Sequence, residues 1–502
     1  MIKLKKKFLL AILIVAIGIF TFGAVCASAE TEGIYTYSVS NVEATITGCD
    51  TYASGDIVIP DTLGGYPVTH IGESAFLECK SITGITISDG VKVIKRHAVR
   101  NCDSLKSIYI PASVTSIDWG AFAECDKLEK IEVNEANEYY VVYEDTLFTK
   151  DMTTIVQYAI AKDSDSYIIP STVTKILTGA FYNCYNLKNI YVEDGNNYFS
   201  SSDGVLFDKN KTTLVQYPVG KSDSSYNIPD GISQIGERAF LDCRNLKNIV
   251  IPSDITKIDA HAFNGCTSLE SITIPGSVTS IYNHAFYNCN NLVDVTIPSG
   301  VVSIGNYAFY GCSSLSGITI PDGVTNIGVG AFYGCSCLTT VAIPDSITNI
   351  SIGTFYRCSN LATVTIPDSI TSIGNYAFSG CDNLTDVYYN GTAENWNKIS
   401  VGDYNLPIAN AKIHFVYTKT TLSNNAKTFT IKPINVEIGK TVLLALYNGE
   451  KFVEMQSAVY AGEAICLTTD ESYTKAKVMV WDGLESLKPV CGDETVLEIW
   501  QR

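Results

Sequence analysis

Ile274-Pro275-Gly276-Ser277-Val278-Thr279-Ser280-Ile281-Tyr282-Asn283-His284-Ala285-Phe286-Tyr287-Asn288-Cys289-Asn290-Asn291-Leu292-Val293-Asp294-Val295-Thr296 is followed at once by Ile297-Pro298 and a second version of itself. The Ile-Pro step returns every 23 residues, at Ile228, Ile251, Ile274, Ile297, Ile320, Ile343 and Ile366. A fixed period of this length marks a repeat in which each copy buries its apolar face only against its neighbours. Such a stack presents rows of equivalent side chains and seldom a deep pocket. It points to a binding surface before it points to catalysis.

Inside one repeat, Ile272 and Ile274 alternate with Thr273, which predicts a short strand with the isoleucines inward and the threonine outward. Pro275 ends that strand because it brings no ladder donor. Val278 and Ile281 bury a second short extended piece, and Ala285, Phe286 and Cys289 fit about one turn of helix. Equivalent strands of successive coils then pair in parallel, about 4.8 Å apart.

The A-F-x-x-C box occurs eleven times, with cysteines at Cys79, Cys102, Cys125, Cys184, Cys243, Cys266, Cys289, Cys312, Cys335, Cys358 and Cys381. Ala98-Val99 lacks the phenylalanine and Thr354-Phe355 lacks the alanine. Cys125 to Cys184 and Cys184 to Cys243 are each 59 residues, one 23-residue period plus 36. The two 36-residue units, near 133–168 and 192–227, carry matching text: Leu147-Phe148 and Val156-Gln157-Tyr158 in the first, Leu206-Phe207 and Val215-Gln216-Tyr217 in the second. Alternation around Asp208-Lys209-Asn210-Lys211 predicts a β-hairpin in each. Residues 30–66 read as an N-terminal cap, 67–417 as the repeats and 385–417 as their terminal cap. From 418 to 502 the period stops, and segments such as Val442–Tyr447 and Ala476–Trp481 suggest a small all-β domain of sandwich type.

The repeat resembles the BspA-like, or Treponema pallidum-type, class of leucine-rich repeats, from about Ile34 to Tyr417. The resemblance implies a repeat solenoid of short parallel strands plus short helical turns. It also implies an exported bacterial surface-binding protein, and the function read from the chain as a whole is an adhesin-like scaffold for a host matrix or mucin protein. No family ligand motif can be matched, so the resemblance brings no ligand with it. The phrase Lys475–Asp482 with Lys488-Pro489-Val490-Cys491 is similar to accessory modules on secreted proteins of Firmicutes.

Lys3, Lys5, Lys6 and Lys7, an apolar run from Phe8 to about Phe22, and Ala27-Ser28-Ala29 form a secretion-signal pattern for residues 1–29. An uncleaved anchor is the rival reading of that run. Losing four lysines and no acid takes the formal charge from −17 to −21, which disfavours nucleic acid and anionic membrane as partners. No phosphate-cradling, zinc-protease or nucleophile-elbow motif is present, and the chain is expected to be non-enzymatic and free of cofactor and metal. His261 and His284 share one repeat phase, but no third ligand shares it with them.

The ladder cysteines are expected to be reduced, buried and structural. On that view Cys289→Ala is milder than Cys289→Ser, unless a hydroxyl finds a partner. A bridge between Cys466 and Cys491 stays open. Two binding surfaces compete. The strand face shows Thr86, Tyr109, Glu132, Tyr191, Val250, Thr273, Thr296, Thr319, Ala342, Thr365 and Tyr388, and its irregular half around Tyr109, Glu132 and Tyr191 is expected to carry more information. The box face shows Tyr182 and then Tyr287, Tyr310, Tyr333 and Tyr356 on consecutive coils, with Tyr307 and Tyr376 on the same side. The alternative function is a carbohydrate- or wall-binding accessory protein, with Trp481 or Trp500 as sugar platforms.

Secretion with cleavage after Ala29 predicts that N-terminal sequencing of exported protein begins at Glu30. Recovery of the intact chain from the membrane fraction supports the anchor instead.

Overall fold

The computed structural model describes residues 29–415 and, beyond them, seven backbone strand segments between Thr418 and Trp500. The leader, and the Cys491 half of the Cys466–Cys491 question, lie outside the described residues. The chain forms two compact units: one runs to Ser164 and adds Pro170–Asn186, the other comprises Asp165–Ile169 and everything from Leu187 on.

Both units are built from stacked coils. In the second, strands Asn248–Val250, Ser271–Thr273 and Asp294–Thr296 pair in parallel, with Ile249, Ile272 and Val295 in register. A second parallel ladder joins Lys257–Ile258, Ser280–Ile281, Ser303–Ile304 and Asn326–Ile327. The inward side chains predicted from the period are buried: Ile272, Ile274, Val278, Ile281 and Leu292 are all at 5 % exposure or less. The box phenylalanines make a single column. Phe240, Phe263, Phe286, Phe309, Phe332, Phe355 and Phe378 stack at 5.1–5.6 Å with rings 6–23° apart. Burying one such ring contributes about 2–3 kcal/mol.

The short helical turn expected at each box is absent. At all eleven boxes the residue before the alanine position and the residue before the cysteine have positive φ, as in His284 (57°) and Asn288 (55°). Left-handed residues cannot propagate a right-handed helix, and each non-glycine one costs about 1–2 kcal/mol. The return comes from hydrogen bonds. His284, Phe286 and Asn288 donate their N–H to the carbonyls of Asn306, Ala308 and Tyr310 on the next coil, at 2.7–2.9 Å. The amides between them turn back three residues: Ala285 to Tyr282, Tyr287 to His284 and Cys289 to Phe286. In the first unit Ser74, Phe76 and Glu78 donate in the same way to Arg96, Ala98 and Arg100.

The box cysteines complete this network. The thiols of Cys266, Cys289, Cys312, Cys335, Cys358 and Cys381 donate to the box-phenylalanine carbonyl of the preceding coil, at 3.1–3.2 Å. Cys102 and Cys125 do so in the first unit, to the carbonyls of Phe76 and Val99, both at 3.1 Å. Weaker contacts occur at Cys79, Cys184 and Cys243, whose sulfurs lie 3.8 Å, 3.5 Å and 3.9 Å from the carbonyls of Asp50, Tyr182 and Tyr217. Burial pushes the Cys289 and Cys312 thiols well up, so they stay protonated as donors. Thr354, which replaces the box alanine, is buried and satisfies its hydroxyl on the Ser351 carbonyl at 2.8 Å.

The 36-residue units are three-stranded meanders, one strand more than a hairpin. Tyr140–Tyr143, Thr146–Thr149 and Thr154–Tyr158 are antiparallel, and the last strand pairs in parallel with Lys175–Ile176. The second unit repeats this with Phe199–Ser202, Val205–Asp208, Thr213–Gln216 and Gln234–Ile235. The extra strand starts from a buried asparagine. Asn137 Oδ1 accepts from the Tyr139 and Tyr140 amides at 2.8 Å, and Asn196 Oδ1 accepts from Tyr198 and Phe199 at the same distance.

Beyond the last box, helix Ala393–Trp396, helix Leu406–Asn410 and strand Lys412–Phe415 close the stack. Box amides that lack a following coil are met here: Tyr376 donates to the Asp403 carbonyl at 2.9 Å and Phe378 to Asn405 Oδ1 at 3.0 Å. Asn405 Nδ2 in turn donates to the carbonyls of Gly374 and Gly402. The C-terminal segments form two antiparallel sheets. One contains Thr418–Leu422, Thr428–Pro433 and Ile465–Thr468, and the other Lys451–Val459, Thr441–Asn448, Lys475–Trp481 and Leu497–Trp500.

The thiol network reverses the expected order at Cys289, because a hydroxyl there meets the acceptor the thiol already uses. Cys289→Ser is predicted to cost about 1 kcal/mol and Cys289→Ala about 2 kcal/mol. Urea midpoints of the full chain check this, and a better-tolerated alanine contradicts it.

Candidate binding surfaces

The strand-face residues fall into separate groups. In the first unit, parallel strands Ser54–Val58, Ser81–Thr86, Ser107–Ile110 and Lys130–Val133 line up Val58, Thr86, Tyr109 and Glu132 across one sheet. Tyr109 and Glu132 are therefore neighbours. The Tyr109 hydroxyl is already engaged by Asn134 Nδ2 at 2.8 Å, and Glu132 is paired with Lys130 at 2.5 Å. An exposed ion pair of this kind contributes little, about 0–1 kcal/mol. Tyr191 belongs to the other unit, where it faces Ile168 on strand Ser166–Ile169, and both side chains are exposed.

Further along the second unit, Val250, Thr273 and Thr296 share one sheet, while Ala342, Thr365 and Tyr388 share another. Thr319 is exposed and lies outside any strand. Tyr388 stacks on His414 at 4.8 Å, and His414 Nε2 lies 2.6 Å from Asp386 Oδ1.

The box face carries a longer feature. Tyr287, Tyr310, Tyr333 and Tyr356 stack face to face with centroids 4.4–4.6 Å apart, each ring half-buried. A second row stands at the left-handed position before the box alanine. There His261 and His284 stack at 4.5 Å, 4° from parallel, and Tyr307 lies 5.2 Å from His284. The rows touch through His284–Tyr287 at 5.5 Å and Tyr307–Tyr310 at 6.0 Å. At the far end Tyr356 meets Tyr376 edge-on at 6.1 Å, and Tyr376 stacks on Tyr404 at 4.4 Å. The Arg357 guanidinium sits over Tyr356 at 5.4 Å.

Two glycines interrupt the second row, at Gly330 and Gly353. A Cβ on Gly330 would stand 2.5 Å from Tyr307 Cε1, so the ring already occupies that place. Tyr182, at the box-tyrosine phase in the first unit, is buried and not part of the ladder.

The chemistry of the ladder follows from its packing. Faces cover one another, so edges and hydroxyl groups are what solvent meets. Burial raises the pKa of Tyr310 and Tyr333, which keeps their hydroxyls protonated and able to donate at neutral pH. Burial, and then the charge of Arg238, hold His284 below its ordinary range, so its ring is neutral there as well. The period makes the tyrosine stripe legible, but Tyr404 arrives from the aperiodic terminal cap and carries no sequence signal. No group of three His, Cys, Asp or Glu able to hold a metal exists among the described residues. No helix among them is long and apolar enough to cross a membrane. Trp481 and Trp500 lie in strands of which only the backbone is described.

The repeat is that of the BspA type leucine rich repeat region, whose family description matches in six copies at residues 54–143, 220–315 and 302–426. The chain belongs to that family. Among solved structures, a leucine-rich repeat protein from Eubacterium ventriosum is 26 % identical, with 70 % of this chain and 94 % of that one covered and a TM-score of 0.49. A leucine rich cell surface protein from Faecalibacterium prausnitzii is also 26 % identical, with 75 % and 99 % covered and a TM-score of 0.36. The leucine rich repeat protein of T. pallidum is 29 % identical over 37 % of this chain and 88 % of its own, with a TM-score of 0.33. No curated protein matches the chain significantly.

Proposed function

We propose that this chain is an exported, surface-displayed binding scaffold of the adhesin type, and that it holds a protein partner along the aromatic ladder of its second unit. The observation that carries the reading is the unbroken contact from His261 through Tyr310 and Tyr356 to Tyr404. Tyrosines held this way have lost their rotamer freedom before a partner arrives, which removes a cost that binding otherwise carries. They offer an apolar edge and a hydroxyl at each step, a combination enriched at protein interfaces. Export is supported by the lysines and apolar run ahead of Ala27-Ser28-Ala29. The acidic balance, with a sequence pI of about 4.8, favours a basic or amphipathic partner.

The carbohydrate alternative fits this surface less well. A sugar ring lies on an open aromatic face, and here the faces are taken by neighbouring rings. The strand-face pair Tyr109 and Glu132 is a smaller patch whose polar groups are already engaged.

Binding of the protein to immobilised matrix proteins, mucins and polysaccharides tests the reading. Changing Tyr287, Tyr310, Tyr333 and Tyr356 together to Phe keeps the stack and removes four hydroxyls. Affinity for a protein ligand is predicted to fall at least about tenfold, equivalent to 1.4 kcal/mol, with the melting temperature nearly unchanged. Tyr109→Ala is predicted to leave affinity within about twofold, a shift below 0.5 kcal/mol. A loss with Tyr109→Ala alone moves the site to the strand face, and polysaccharide binding untouched by the Phe variant supports the alternative function.

A further inference from the structure

Along most of the cysteine ladder a buried thiol meets a carbonyl of the preceding coil at 3.1–3.2 Å. Cys79 is the first box cysteine and has no box before it. Cys49 and Asp50 stand in that place, at the end of strand Glu43–Cys49. Both sulfurs turn toward one acceptor: Cys49 Sγ lies 3.6 Å and Cys79 Sγ 3.8 Å from the Asp50 carbonyl. Their titrations are linked: interaction with Cys79 pushes the Cys49 thiol up, and interaction with Cys49 holds the Cys79 thiol down. At both cysteines the carbonyl contact is looser than the 3.1 Å of the next two coils at Cys102 and Cys125, and the two sulfurs share one acceptor.

Access distinguishes the pair from the rest of the ladder. Cys79 is fully buried, whereas Cys49 is partly exposed, so solvent reaches the pair from the Cys49 side. The backbone around Cys49 is held in place. Its strand partner is Tyr35, the Asp50 amide donates to the Ile34 carbonyl at 2.8 Å, and the Ala53 amide donates to the Asp50 carbonyl at 2.9 Å. Two thiols converging on one carbonyl oxygen of a fixed frame, one of them open to solvent, is an arrangement suited to thiol–disulfide exchange.

We propose that Cys49 and Cys79 are a redox-modification site that closes to a disulfide and fastens the N-terminal cap to the first coil. The oxidant is a low-molecular-weight disulfide. Cys49, the member that solvent reaches, gives its proton to water, and its thiolate attacks one sulfur of the reagent, forming a mixed disulfide and releasing one small thiolate. That thiolate takes the Cys79 proton, and Cys79 Sγ attacks Cys49 Sγ and expels the second small thiolate, which is protonated from water. Two protein thiols are oxidised to one disulfide, and one reagent disulfide is reduced to two thiols. The bridge closes the chain around residues 50–78, which restricts the unfolded state. This makes Cys79 the exception to the expectation that all ladder cysteines are reduced.

The native full chain treated with oxidised glutathione, then alkylated and mapped without reduction, tests the proposal. The expected product links the Cys49 and Cys79 peptides, while exposed Cys337 carries glutathione and shows that the reagent was active. The bridged protein should melt about 5 °C above the reduced one. Cys49→Ser should show neither the link nor the rise. The proposal is overturned if Cys49 remains a glutathione adduct, if Cys79 pairs with Cys102, or if neither reacts while Cys337 does. A bridged protein that melts no later than the reduced one overturns the fastening role.

Discussion

The structure depends on a backbone device in the A-F-x-x-C box. Two left-handed residues, four apart, turn alternate amides of the box toward the next coil and the carbonyls they pair with toward the previous one. His284, Phe286 and Asn288 each receive an inter-coil bond for that geometry. A net gain of about 0.5–1.5 kcal/mol for each hydrogen bond roughly matches the 1–2 kcal/mol that each strained non-glycine residue costs. The surplus therefore comes from the side chains this turn delivers, above all the phenylalanine column. The polarity of the device also dictates how the stack ends. Donors at the last box need acceptors, and the Asp403 carbonyl and the Asn405 side chain supply them.

The same device explains the residue choices at the box. The alanine side chain is wholly buried between coils, where larger groups would hold them apart, and Thr354 is tolerated only with its hydroxyl bonded to its own turn. Cysteine is small, apolar and still a donor, so it fills the turn and binds the phenylalanine carbonyl at once. Surface chemistry follows from the strain as well. His261, His284, Tyr307 and Tyr376 occupy left-handed positions, and from there their rings reach the tyrosine stripe. The candidate site is thus a by-product of the turn that builds the coil.

Much of this was legible in the chain. The 23-residue period gave the parallel strands, the buried Ile272 and Ile281, and the stacking of Tyr287 on Tyr310, because each is a consequence of spacing. The helical turn was misread because a short A-F-x-x-C segment has helical spacing whatever its φ values are. A signal was available: Asn, Asp or Gly precedes the cysteine at Asn101, Asn183, Asp242, Gly265, Asn288, Gly311, Gly334 and Gly380. Those are the residues that accept positive φ most readily. Tyr404, Asn405 and the convergence of Cys49 and Cys79 on the Asp50 carbonyl could not be read, since each joins a repeat to an aperiodic end. Equal repeat phase also does not show which compact unit a residue joins: Tyr109 lies in the first and Tyr191 in the second.

If inter-coil bonding at the box holds the stack, its amides open only when coils separate. Native-state hydrogen exchange on the full chain measures this directly at Phe263, Phe286, Phe309 and Phe332, whose amides donate to the next coil. The account predicts that these four exchange as slowly as the strand amides of Ile249 and Ile272. Exchange at the rate of exposed loops, with the strand amides still protected, would show that the parallel ladders carry the stack and that the box merely follows.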